Sequence, residues 1–143
     1  MKLYTLCGLP ASGKTTLSTQ LAKEHNAKLY HYDEFKKGSK PQYTKETHQR
    51  LYKQIAQDLL QGYDVVLDDL HLALEWRQDL LTALQDISCK KILIVMTTPL
   101  EECVCRNSQR QGQARLPDFV IYHLNQRYQP PSLDEGWDDI QYI

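Results

Sequence analysis

The sequence predicts a three-layer α/β domain: a parallel sheet flanked by helices on both faces, with a small helical lid. Three observations carry that expectation. Short apolar segments alternate with longer segments of helical period along the chain. A glycine-containing octapeptide, Gly8-Leu9-Pro10-Ala11-Ser12-Gly13-Lys14-Thr15, joins the first apolar segment to the first amphipathic one. Lys91–Thr97 encloses the unbroken apolar run Ile92-Leu93-Ile94-Val95-Met96, the pattern of a strand covered on both sides.

Taken in order, Lys2–Cys7 reads as a strand and Lys14–His25 as a helix with Leu17 and Leu21 on one face. Leu29–Tyr32 is a second strand. The turn-rich Lys37-Gly38-Ser39-Lys40-Pro41 follows, and then Thr44–Gln61, a helix with Leu51, Ile55 and Leu59 at four-residue spacing that Gly62 ends. Asp64–Asp69 is a strand and Leu74–Asp86 a helix. After the strand 91–97, Pro99–Gln109 opens a helix with proline near its first turn. Gln111–Leu116 is a loop, and Pro117–Tyr128 a helix with Val120, Ile121, Leu124 and Tyr128 along one side. Trp137–Ile143 adds a last short strand. Strands alternating with helices give parallel pairing.

The chain has 143 residues, which predicts one domain spanning 1–143. Its net charge of −1 excludes a globally basic polyanion binder. No apolar run is long enough for a transmembrane helix, and the first residues have no secretory pattern, so a cytoplasmic protein without membrane contact is expected. Cys7, Cys89, Cys103 and Cys105 have neither disulfide-framework nor zinc spacing, and Cys103 and Cys105, two apart on a helix, face away from each other and read as small core residues. Charge is uneven along the chain. Residues 23–53 hold eight Lys/Arg against four Asp/Glu, and residues 64–86 hold six acids against one arginine.

The octapeptide matches G-x-x-x-x-G-K-[ST], the phosphate-binding P-loop, in its required context between strand and helix. Gly8 and Gly13 permit a tight turn and close backbone approach, and the loop's N–H groups face an anion at the helix start. Gly8, Ala11, Ser12, Gly13, Lys14, Thr15 and Thr16 are therefore expected to hold ATP. Lys14 is expected on the β- and γ-phosphates and Thr15 on Mg²⁺.

Asp33 closes the second strand at the edge where an open parallel sheet takes its ligands. It reads as the base for an attacking hydroxyl, with a helix N-cap or a solvated acid as the alternative. Val65-Val66-Leu67-Asp68-Asp69 has the form of a Walker B element. Its two acids point to opposite faces, and which of them stands near the metal is left open. Arg106 and Arg110, four apart, are expected to share a helix face as a phosphate-closing lid. The alternative is a solvated face paired with Glu101 or Glu102. Lys36, with Lys37 and Lys40 near Tyr32, Phe35 and Tyr43, reads either as an acceptor contact or as a solvated basic loop. Arg77 is grouped with Asp33, Lys36 and Asp69 on the acceptor side. The five histidines form no ligand set; His25, His48 and His123 read as surface or helix-end residues.

Together the P-loop, Asp33-Glu34-Phe35-Lys36, Asp69-Leu70-His71-Leu72, Arg106-Asn107-Ser108-Gln109-Arg110 and Leu116-Pro117-Asp118-Phe119-Val120 resemble the polynucleotide 5′-kinase group of P-loop phosphotransferases. The resemblance covers nearly the whole chain. It implies a P-loop NTPase fold and transfer of the γ-phosphoryl group of ATP to the 5′-hydroxyl of DNA or RNA. It further implies Asp33 as general base, Arg106 and Arg110 in the lid, and Asp69 supporting the site. Two departures stand out. Lys36 takes the place of an arginine, supplying a point charge without the bidentate fork. Leu70-His71 takes the place of a Thr-Asn pair. A small-molecule alcohol kinase and a nucleotide-binding regulatory module are the alternative functions.

Overall fold

Residues 1–35 and 45–143 are described by a computed structural model of the chain. The strands β1 (Lys2–Cys7), β2 (Lys28–His31), β3 (Val65–Asp68), β4 (Lys90–Val95) and β5 (Asp139–Tyr142) form one sheet in the order β2-β3-β1-β4-β5. Every pairing is parallel. The helices are α1 (Lys14–His25), α2 (Tyr32–Phe35), α3 (Lys45–Leu60), α4 (Leu74–Ala83), α5 (Leu100–Ser108) and α6 (Asp118–Gln126). The three-layer P-loop architecture expected from the alternation is present. Boundaries shift by a few residues; the four-residue α2 and two short 3₁₀ turns, Gly112–Ala114 and Leu133–Glu135, were not anticipated.

Strand alternation builds two cores. Tyr4, Leu6, Val66, Ile92 and Ile94 point to one face, where Leu17 and Leu21 of α1 cover them. Leu3, Cys7, Val65, Leu67, Leu93 and Val95 point to the other, against α3, α4 and α6. Leu51, Ile55 and Leu59, the predicted α3 stripe, are fully buried, each worth about 1.5–3 kcal/mol relative to exposure. Gly62, at φ 94°, takes the left-handed conformation just past the end of α3. Cys105 departs from its expected core role: it is exposed, whereas Cys103, two residues earlier, is buried. All four thiols are free. Among the described residues no helix is long and apolar enough to cross a membrane.

Arg77 overturns its assignment to an acceptor. It is 0 % exposed, and all five of its N–H donors are used. Nε donates to Glu135 Oε1 at 2.8 Å, Nη1 to the carbonyls of His71 and Leu72, and Nη2 to Glu135 Oε2 and the carbonyl of Gln129. No proton remains for a substrate. The guanidinium instead fastens the segment leading into β5 onto the loop after β3. Glu135 also accepts from Ser132 N and Trp137 Nε1. Burial pushes its carboxyl up, but Arg77, Trp137 and the Ser132 N–H outweigh burial and hold it below the usual glutamate value.

Arg77→Met is therefore expected to destabilise the fold by about 3–5 kcal/mol, because it leaves a buried carboxylate without its partner. The companion exchange Glu135→Leu should recover part of that loss, as read by urea unfolding. The folded pKa of Glu135 lies below its unfolded value. The pair's contribution is thus complete above about pH 4.3 and fades as the pH falls through the depressed folded value. Arg77→Met/Glu135→Leu should show a shallower loss of stability over that acid range than the native chain.

Candidate nucleotide and phosphoryl-transfer site

The loop between β1 and α1 has the backbone that its glycines allow. A Cβ on Gly8 would lie 2.8 Å from Ser12 Oγ and 2.9 Å from Met96 Cβ, so only glycine fits without displacing a neighbour. Gly13 has φ 99° and Ala11 φ 64°, both left-handed. Gly8 N donates to the carbonyl of Leu70, tying the loop to the segment after β3. Lys14 folds into the loop, its Nζ donating to the carbonyls of Gly8 at 3.0 Å and Leu9 at 2.7 Å. Burial lowers its pKa, with Asp68 and Asp69 pulling in the opposite direction.

The two strand-end acids separate as the pleat requires. Asp68 shares a face with Val66, on the side of α1. Its Oδ2 accepts from Thr15 Oγ1 at 3.2 Å and from His31 Nδ1 at 2.8 Å, with Ser18 Oγ at 3.4 Å. Asp69 turns to the side of α3, where its Oδ2 accepts from His48 Nε2 at 2.8 Å and its Oδ1 from Leu70 N. Burial pushes Asp69 up, but the bond from His48 and the neighbouring histidine charge prevail and hold its carboxyl below the usual range. Asp68 thus stands beside the Thr15 hydroxyl, and Asp69 beside His48.

His48 was read as a surface residue and is 4 % exposed. Its ring stacks on Tyr32 at 3.9 Å and meets Tyr52 edge-on. The signal was present: His48 precedes Leu51, Tyr52, Ile55 and Leu59 on the same helical stripe. Burial also keeps the His71 imidazole pKa below normal, which favours the neutral ring, and the Cys7 thiol is pushed up to about 11, so it is not a thiolate at neutral pH.

Asp33 is exposed in the first turn of α2, directly after Tyr32 and beyond the carboxyl end of β2. Lys36 lies outside the described residues, as do Lys37, Lys40 and Tyr43. Arg106 is on α5, paired with Glu102 at 2.6 Å, the partner that the alternative reading named. Its Nη1 also lies 3.6 Å from the position of a Cβ on Gly13. Arg106 thus borders a 520 Å³ cavity lined by Ser12, Gly13 and Thr16 on one side and by Thr97 and Thr98 on the other. Arg110 corrects the shared-face expectation: α5 ends at Ser108, and Arg110 sits in the exposed segment beyond it.

Among the described residues no three His, Cys, Asp or Glu side chains converge as a metal cage. Mg²⁺ seldom needs one, since it takes one or two protein oxygens together with waters and phosphate oxygens. The adjacent hydroxyl of Thr15 and carboxylate of Asp68 are hard oxygen donors of that kind.

A family model described as an AAA domain matches residues 3–131. No curated protein sequence matches the chain. Among solved structures, the fold is similar to an unliganded sugar kinase from Janibacter sp. HTCC2649, with a TM-score of 0.78 and 15% identity over 100% of this chain and 84% of the other. It is also similar to Kti12 of Chaetomium thermophilum in complex with ADP-AlF3, with a TM-score of 0.75 and 18% identity over 99% and 88% of the two chains. A fungal RNA kinase matches with a TM-score of 0.74 and 18% identity over 99% and 73%.

Proposed function

The chain belongs to the AAA domain family, and from that premise we propose that it is an ATP-dependent kinase whose acceptor is the 5′-hydroxyl of a nucleic acid. The observation that carries the reading is the P-loop itself, with its lysine and Thr15–Asp68 pair, and Asp33 beyond the carboxyl end of β2, which pairs with β3, the strand that ends in Asp68. The fold shared with an RNA kinase, a sugar kinase and an ADP-AlF3-bound protein supports the class of chemistry.

In this reading Gly8, Ala11, Ser12, Gly13 and Thr16 cradle the phosphates, and Lys14 exchanges its loop carbonyls for β- and γ-phosphate oxygens. Thr15 and Asp68 would hold Mg²⁺, which would supply neutralisation of charge on the phosphates. Asp33 accepts the proton of the acceptor hydroxyl as that oxygen bonds to the γ-phosphorus. The bond from that phosphorus to the β-phosphate oxygen breaks, and ADP departs. Arg106, with Arg110 beyond it, offsets charge on the transferring group. Asp69 acts at a distance, through His48 and Tyr32, and Lys36 contacts the acceptor.

The test is γ-labelled ATP offered with 5′-hydroxyl DNA, 5′-hydroxyl RNA, nucleosides and sugars. Label transfer to an oligonucleotide, with affinity for it falling steeply as salt rises, is the expected result. Transfer only to nucleosides or sugars would move the assignment to a small-molecule kinase. ATP binding with no transfer to any acceptor would leave a regulatory module.

A further inference from the structure

We infer that His31 is a positioning residue for the divalent cation of the nucleotide site, acting through Asp68. The inference rests on the donor half of the proposed function, the binding of a nucleotide with its metal ion at the P-loop.

His31 and Asp68 are paired across the parallel strands β2 and β3, so their side chains leave the sheet on the same face as neighbours. That face is covered by α1, whose first turn supplies Thr15 and whose second supplies Ser18. An ionised carboxylate only accepts, so the imidazole must carry its proton on Nδ1 to make the 2.8 Å bond. The same oxygen, Asp68 Oδ2, takes the Thr15 hydroxyl at 3.2 Å.

This arrangement decides which way the threonine oxygen looks. A hydroxyl has one proton, and a hydroxyl that ligates a cation must turn its lone pairs to the ion and place its proton elsewhere. Asp68 Oδ2 is where the Thr15 proton goes. Ser18 is a poor substitute for His31 in holding that oxygen, because its Oγ lies closer to the carbonyl of Thr15, at 3.0 Å, than to Asp68 Oδ2, at 3.4 Å, and has one proton to donate. His31 is thus the strongest of the three donors that fix the carboxylate. Asp68 is 9 % and His31 19 % exposed, so water competes little for the pair. Outer partners of this kind set ligand orientation in metal sites, and their loss weakens metal affinity by about 10–100-fold.

The experiment measures metal and nucleotide separately, with no acceptor present. Mn²⁺, a paramagnetic stand-in for Mg²⁺, is titrated into the protein–ADP complex, and free Mn²⁺ is read by electron paramagnetic resonance. Metal-free ADP binding is measured in a chelator by calorimetry. His31→Ala is expected to weaken Mn²⁺ by about 10–100-fold while leaving metal-free ADP affinity unchanged. His31→Asn, whose amide N–H takes the place of Nδ1–H, should restore most of the metal affinity. A purely structural role for His31 would weaken both kinds of binding together or neither.

Native Mn²⁺ affinity in folded His31→Ala overturns the inference and leaves the nucleotide assignment standing. Equal losses of Mn²⁺ and metal-free ADP binding also overturn it. If His31→Ala fails to fold, failure of the folded His31→Asn variant to bind Mn²⁺ more tightly than Asp68→Asn overturns it. A native chain that binds no ADP removes the donor reading and this inference with it.

Discussion

Replacing Lys14 by alanine is expected to lower phosphoryl transfer by about 10²–10³-fold, the cost of removing one preorganised donor from developing charge. The structure makes this variant more than a charge deletion. Lys14 is 8 % exposed and bridges the carbonyls of Gly8 and Leu9, so alanine also leaves two loop acceptors without their donor. Lys14→Met keeps most of the buried stem and separates packing from charge. Both variants should lose transfer and leave the Gly8 and Leu9 carbonyls without their donor, and Lys14→Ala, which also removes the buried stem, should show the larger drop in melting temperature. Stopped-flow or quenched assays with label on the γ-phosphate provide the rate, and thermal unfolding provides the control. Undiminished transfer by Lys14→Met would remove the P-loop lysine from the mechanism.

Asp33→Asn is expected to reduce turnover by about 10²–10⁴-fold, the range for loss of a general base, while ATP binds as before. Asparagine matters here because Asp33 occupies the first turn of α2, where an acid also complements the helix N-terminus. Asparagine keeps the shape and the local hydrogen bonding and cannot take the proton. Turnover separates the roles that the sequence allowed: a helix-start residue or a solvated acid tolerates Asp33→Asn, and a base does not. Calorimetric ATP binding in the same variant shows whether the loss lies in chemistry or in the donor site. Full turnover with intact binding would end the assignment of Asp33 as base.

Much of the fold was legible in local pattern. The strand–helix alternation, the Leu51–Ile55–Leu59 stripe and the doubly buried β4 follow from periods of about 3.6 and 2, and all three appear in the structure. The P-loop was legible because its glycines answer a backbone demand that few other sequences meet, as the crowding around Gly8 shows. Arg77 was misread for a physical reason. Glu135 and Gln129 lie 58 and 52 positions away in the chain, so local pattern could not show that they, together with the nearby carbonyls of His71 and Leu72, use every N–H of the guanidinium. Arg110 was misread because helical spacing was extended past the point where α5 ends.

The acids of β3 mark the boundary between the two kinds of information. Alternation along a strand, a local property of the chain, was enough to say that Asp68 and Asp69 must face apart. It could not say which of them meets the P-loop helix, because the two faces of a sheet are equivalent until other elements pack on them. Packing α1 over Tyr4, Leu6 and Val66 sent Asp68 to Thr15 and His31, and packing α3 on the opposite face gave Asp69 to His48. Sequence alone determined the strands, the phosphate loop and the presence of two divergent carboxylates. Tertiary structure decided their partners, since contacts between residues 37 and 53 positions apart in the chain form only when β2, β3 and α1 come together.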